Sequence, residues 1–164
     1  MMRQTIWQRF LGCEGAALAE FAVSCIILIP IFFGFIETCL AFYAYNFVSD
    51  AAREASRYAI VRGSNSCTKL PGLADCDITT SVPLQNYVQS LGYPGLSPNN
   101  LVVTVKFWKA STTLPTTWTT SCPTCNQPGN QVQVTVKYNF PIGIPFWKVT
   151  TLSIGSVSSM VISQ

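Results

Sequence analysis

Hydrophobic and polar positions divide this chain into a long helical stretch and a mixed remainder. Residues 16–47 are apolar almost throughout, with Glu20 and Glu37 as the only charges. As a helix, 21–37 rises about 24 Å, close to a hydrocarbon core of roughly 30 Å, so a transmembrane segment is predicted at about 17–40. Past Asn46 the pattern becomes amphipathic. Val48, Ala51, Ala52, Ala55 and Ala59 recur at helical spacing, while Asp50, Arg53, Glu54 and Arg57 take the other face. Asp50 with Arg53 and Glu54 with Arg57 form possible pairs worth only tenths of a kcal/mol. Gly63, followed by Ser64, Asn65 and Ser66, is a credible helix stop. The small-residue face suits close packing, either on a partner subunit or on the chain's own globular part; the spacing leaves both open. Pro30 removes one helical hydrogen bond and predicts a local kink or melting, tolerable in lipid only where neighbours satisfy the freed carbonyl.

Beyond Gly63, Ser, Thr, Pro and Asn alternate with short apolar runs. Leu84, Tyr87, Val88 and Leu91 share one face of 82–91, and Pro83 suits a first turn, so a short helix is predicted. Strands are predicted at 101–109 and at 132–140. In the second, Val132, Val134, Val136, Tyr138 and Phe140 face one way and Gln133, Thr135, Lys137 and Asn139 the other. A last strand is expected within 150–163, interrupted near Gly155. The Thr-, Pro- and Cys-rich connection at 110–130 reads as a mobile or disulfide-pinned loop. The fold class is therefore α+β: a long N-terminal transmembrane and amphipathic helix, then a small domain with a short helix and an antiparallel sheet of about three to four strands.

Composition narrows the chemistry. Of 164 residues, 49% are hydrophobic and 10% charged, against about a quarter charged in ordinary soluble domains; the membrane segment accounts for the excess. The net charge of +3 is modest and its ten cations are scattered, so nucleic acid is not an expected partner. Histidine is absent, which removes the commonest general base and metal ligand. No carboxylates form an obvious catalytic pair, and Asp75 and Asp77 beside Cys76 are too few for a calcium cage. No catalytic residue, metal or cofactor is expected, and the chain is read as a non-enzyme.

Cysteine gives the remaining candidate site. Cys122 and Cys125 form a CxxC, a spacing used by redox centres and zinc sites. Zinc would need Cys67 and Cys76 as its other ligands, but these are nine apart; a redox centre would need CxxC at a helix start, whereas Pro115, Pro123 and Pro128 surround it. Structural disulfides are the favoured reading, with Cys67–Cys76 and Cys122–Cys125 chosen among three pairings. Cys13, Cys25 and Cys39 read as unpaired. The even set beyond the span fits an oxidising compartment. Because arginines flank the span on both sides, charge alone does not orient it, and the cysteines favour a cytoplasmic N-terminus with the C-terminal domain in the periplasm.

A carboxylate beside a membrane-length apolar run is costly, about 2.5 to 3.5 kcal/mol at the bilayer centre and less near its edge. At Glu20 the sequence context offers a compensation. If the chain is cut after Gly15, Ala16 gains an amino group and Glu20 becomes the fifth residue, one turn away. Subunits staggered in a fibre could then pair carboxylate with ammonium inside an apolar bundle. Gly15, four residues, Glu20 and Phe21 together resemble the cleavage site of the type IV pilin superfamily. The wider stretch at 14–63 resembles the N-terminal domain of TadE-like minor pseudopilins of the tight adherence (type IVc) pilus. It carries Pro30 in the apolar run, Glu37 toward its end, FYAYN at 42–46 and AAREASRYAIVRG at 51–63.

The resemblance implies a leader at 1–15 removed by a prepilin peptidase between Gly15 and Ala16, with Glu20 and Phe21 setting register. It further implies a TadE-like helix at 16–63 and a periplasmic α+β domain at 64–164 on a single-pass protein of the bacterial inner membrane. Expected partners are the peptidase, other pilins or pseudopilins, inner-membrane platform proteins of the pilus and membrane lipid. Expected roles are pilus biogenesis, adhesion and biofilm formation. Glu37 sits either at the membrane edge, its head reaching water, or in a polar contact with another subunit. Two other functions compete: a signal-anchored periplasmic binding or thiol-redox module, and a pseudopilin of type II secretion.

Overall fold

The computed structural model describes residues 14–69, 72, 78–109, 118–120, 125–145 and 148–163. Helix α1 covers Glu14–Ile60, α2 Ser66–Lys69 and α3 Val82–Ser90, with a 3-10 turn at Pro98–Asn100. Strands β1 (Leu101–Trp108), β2 (Gln131–Ile142) and β3 (Thr150–Val161) form one antiparallel sheet in the order β1-β2-β3. The α+β architecture is as the sequence predicts. Two compact units emerge: described residues up to Leu40 with Ile142–Thr150, and those of Ala41–Pro141 with Thr151 onward.

The second unit holds the core. Leu101, Val103, Val105 and Phe107 of β1 stand opposite Tyr138, Val136, Val134 and Val132 of β2, all buried on one face. The period-2 pattern places these eight side chains on the covered side, while Val102, 45% exposed, and the half-buried Trp108 take the other face. Ala44, Val48, Ala51, Ala52, Ala55 and Ala59 of α1 are fully buried. The small-residue face left open by the sequence is thus covered by the chain's own domain. Alanine there lets backbones come close. Ser56 Oγ lies 2.9 Å from the Ala52 and Arg53 carbonyls and 2.7 Å from Ser158 Oγ of β3, so the buried Ser56 hydroxyl and the half-buried Ser158 hydroxyl each have a partner. The Ser163 amide donates to the Ile60 carbonyl at 3.2 Å, and the Phe47 and Tyr93 rings meet at 4.1 Å between centroids. On the exposed face the two i, i+3 ion pairs form, at 3.8 Å for Arg53–Asp50 and 3.7 Å for Arg57–Glu54.

Two elements differ in detail from their predicted form. α1 ends at Ile60, three residues before Gly63, whose carbonyl instead accepts the Ser66 amide and hydroxyl. The helix assignment runs unbroken past Pro30. β3 is continuous through Gly155 instead of interrupted. A Cβ there would stand 3.4 Å from Lys137 Cγ and 3.7 Å from the Val136 carbonyl oxygen. These are ordinary van der Waals distances, so the strand runs through this glycine without a close approach that would demand it. Before β2, Gly129 holds φ +89° while its amide donates to the Ile162 carbonyl, a turn in which L side chains are strained. α3 buries Leu84 and Val88 and packs on β1. Phe107 of β1 also exchanges two backbone bonds with Thr119, which covers part of that sheet edge.

If the alanine face is close-packed, Ala55→Leu overfills it and should cost about 1 to 3 kcal/mol. Chemical denaturation of the detergent-solubilised chain, followed through β-sheet circular dichroism, measures this; an unchanged midpoint contradicts the packing.

Candidate assembly segment

In the first unit the apolar side chains of α1 are turned outward. Leu18, Phe21, Ile26, Phe32 and Phe35 are each more than 60% exposed. The most apolar 18-residue window averages a hydropathy of 2.3 with none of it buried, and this helix is long and apolar enough to cross a membrane. A soluble fold would bury such a surface, and large exposed apolar areas mark lipid or protein contacts.

Gly15 and Ala16 lie in the first turn of α1, both exposed. A Cβ at position 15 would meet nothing within 4 Å. Packing within this fold therefore gives no reason for glycine, which costs about 1 kcal/mol relative to alanine inside a helix. Glu20 and Phe21 are exposed, and among the described residues no cation lies within ion-pair distance of Glu20. Its carbonyl accepts the Ser24 hydroxyl at 2.9 Å.

Pro30, Gly34 and Glu37 lie on a half-buried face of the otherwise exposed helix. Glu37 Oε1 accepts the backbone N–H of Gly143 at 3.3 Å. Gly143 belongs to the β2–β3 turn, 106 residues away and in the same compact unit. The acid near the end of the apolar run thus has a partner within its own chain. Sequence reasoning weighed only water and other subunits for it, and no local pattern ties positions 37 and 143.

The cysteine site is only partly visible. Cys25 and Cys39 are free thiols on α1. Cys125 is buried. The side chain of Cys67, all of Cys76 and Cys122, and Cys13 in the proposed leader lie outside the described residues. The Asn130 side-chain amide donates to the Cys125 carbonyl at 3.1 Å, anchoring that end of the loop to the start of β2.

A second cluster, not anticipated from the sequence, explains part of the 51–63 block. Glu54, Tyr58 and Arg62 follow at four-residue intervals and so share one face of the helix and its exit turn. The Arg62 guanidinium carbon sits 3.3 Å from the Tyr58 ring centroid. Tyr58 in turn stacks on Tyr87 of α3 at 4.0 Å and 24°. The Tyr87 hydroxyl donates to Glu54 Oε1 at 3.1 Å. A cation, two rings and a carboxylate thus clamp α3 onto the end of α1. Burial of Tyr87 and its hydrogen bond to Glu54 raise its phenol above the ordinary value of 10.0. The spacing of Glu54, Tyr58 and Arg62 was a readable signal; their partner Tyr87 was not.

Comparison with known proteins bears on this same helix. The family model for the TadE-like proteins matches residues 15–57. Residues 15–57 are a TadE-like segment. It ties this part of the chain to the proteins of tight adherence pili. No curated protein and no solved structure gives a significant match. The TadE-like segment spans the exposed apolar helix, Gly15, Glu20, Pro30 and Glu37, and runs on through the buried alanines to Arg57. It stops before Tyr58 and Arg62.

The Tyr87–Glu54 bond exists only while the phenol is protonated. With the folded-state value raised, its contribution is fully present below pH 10 and is lost as pH rises through the folded value. Tyr87→Phe should therefore lower stability by about 1 kcal/mol at neutral pH, and the gap to the parent chain should close above pH 10. Paired denaturation curves across pH 7–11 measure it; a gap that persists unchanged at the alkaline end excludes this bond as its cause.

Proposed function

We propose that the chain is a membrane-anchored, non-catalytic subunit of tight adherence pilus machinery: a minor pseudopilin held in the bacterial inner membrane, with its C-terminal domain in the periplasm. The TadE-like match over 15–57 carries this reading. The helix supports it physically, since its first part exposes an apolar surface of membrane length while its later part is built into a folded domain. Cleavage between Gly15 and Ala16 by a prepilin peptidase accounts for a glycine that packing does not require. The new ammonium at Ala16 then supplies, in this chain or a neighbour, the cation that Glu20 lacks among the described residues. Beside it, the exposed Phe21 ring offers a lateral contact within an apolar bundle.

In this reading the subunit joins other pilins or pseudopilins and the platform proteins of the inner membrane, and acts in pilus biogenesis, adhesion and biofilm formation. The cysteines beyond the span are structural in an oxidising periplasm, with Cys67–Cys76 and Cys122–Cys125 as the proposed pairs. They pin loops of a domain that has few charges to hold them.

Intact-mass analysis of the mature protein tests the cut. The N-terminus should be Ala16, and Gly15→Val should leave the leader attached; an intact leader on the parent chain defeats the pseudopilin reading. Glu20→Ala should insert into the membrane normally while lowering piliation by about tenfold or more, the scale expected for losing one partner of a desolvated ion pair. Normal pilus counts in that variant would sink the register role.

A further inference from the structure

Charge is distributed unevenly along this chain in a way that bears on the β2–β3 turn. All seven carboxylates precede position 78, so residues 78–164 carry Lys106, Lys109, Lys137 and Lys148 with no side-chain acid. Lys148 lies in the turn, is exposed, and among the described residues has no carboxylate within ion-pair distance. Around it the turn is apolar: Ile142, Ile144, Pro145 and Val149, the last 63% exposed. Ile142, Ile144, Lys148 and Thr150 line an open hollow of about 360 Å³. Phe146 and Trp147 lie outside the described residues and carry none of the argument.

The turn also has a fixed place relative to the apolar helix. Ile142–Thr150 belongs to the same compact unit as the helix up to Leu40. Gly143 donates its amide to Glu37, which lies about 24 Å along the helix from Phe21. If α1 spans a bilayer from the region of Glu20, Glu37 stands near the opposite edge of the hydrocarbon, and the bond holds the turn at that height. Apolar side chains beside an unpaired lysine suit this zone. The carbons enter the acyl boundary and the ammonium extends to headgroup phosphates.

We infer that the described stretches of the β2–β3 turn, 142–145 and 148–150, form a second membrane contact, with Ile144 and Val149 seated in the lipid interface and Lys148 on the phosphate of an anionic phospholipid. Continuity with the span selects lipid as the occupant, and the lack of acid selects its charge. The contact rests on the membrane-spanning reading of α1 and adds to it. It gives the pseudopilin two attachments at one membrane edge, and Glu37 becomes a positioning residue that holds the turn at the interface.

The full chain, reconstituted in phosphatidylcholine vesicles with or without phosphatidylglycerol, tests this. A photoreactive phenylalanine analogue is placed in turn at 32, 144 and 149, and adducts are identified by mass. Lipid adducts are expected at all three positions. With phosphatidylglycerol present, Lys148→Gln should lower the yield at 144 and 149 by up to about fivefold, the worth of one lysine near an anionic surface, and leave position 32 unchanged. Adducts at 32 but none at 144 and 149, or adducts there to a second protein chain, overturn the turn contact while leaving the span intact. An unchanged yield in the Lys148→Gln chain overturns the headgroup contact. No lipid adduct at 32 would defeat the membrane-spanning reading itself, and the turn contact with it.

Discussion

The structure depends on one helix that presents two different surfaces along its length. From Glu14 to Leu40 α1 leaves its large apolar side chains uncovered, and from Ala44 onward it buries a face of alanines. The two demands call for different residues. A lipid-facing surface gains from Phe, Ile and Leu, which need no shape partner among their neighbours. A helix packed close on its own domain gains from alanine, because each added methylene there would push the backbones apart. The change in side-chain size along α1, from Phe32, Phe33 and Phe35 to Ala51, Ala52, Ala55 and Ala59, matches that change of surroundings.

Polar groups within this helix follow the same logic. Ser24 and Thr38 return their hydroxyls to carbonyls four residues back, at 2.9 and 2.8 Å, so neither is left unsatisfied in an apolar setting. Glu37 takes the amide of Gly143. Neither acid of the run has a cation within ion-pair distance among the described residues, and the Glu20 carboxylate has no hydrogen-bond partner there either. A carboxylate without a partner is expensive in hydrocarbon, and nothing in this chain's own packing accounts for its presence there. The two acids of the apolar run therefore pose different problems: Glu37 has a partner within the fold, whereas no group among the described residues accounts for Glu20.

Much of this was legible in the sequence, and physical reasons separate what was from what was not. The alternation in 132–140 could be read because a sheet with one covered face imposes period 2 directly on the residues. The helix could be read because both its apolar run and its alanine face are local patterns. Gly155 misled, since glycine ordinarily weakens a strand, yet β3 continues through it. The partner of the alanine face, the Tyr58–Tyr87 stack and the Glu37–Gly143 bond were hidden for a common reason. Each joins residues distant in sequence, so no window of the chain contains both members. Of the candidate site, the TadE-like pattern matched at 15–57 was legible from the order of its residues, whereas cysteine spacing by itself leaves three pairings among four cysteines.

The clamp on Tyr87 shows how one stretch can serve both recognition and folding. Within AAREASRYAIVRG the alanines and Ser56 face the domain's interior, Asp50, just before the block, pairs with Arg53 and Arg57 with Glu54 on the outside, and Glu54, Tyr58 and Arg62 hold α3. Almost every residue of the block is therefore accounted for by contacts inside this chain. A partner subunit recognising that block would have to displace buried alanines or break an aromatic stack, at a cost of several kcal/mol. The uncovered surface lies instead at 15–40, where exposed apolar residues and an unpaired carboxylate require no rearrangement. The proposed lateral assembly therefore fits the first part of the TadE-like segment, whose apolar residues are exposed, better than the second, which is built into the domain.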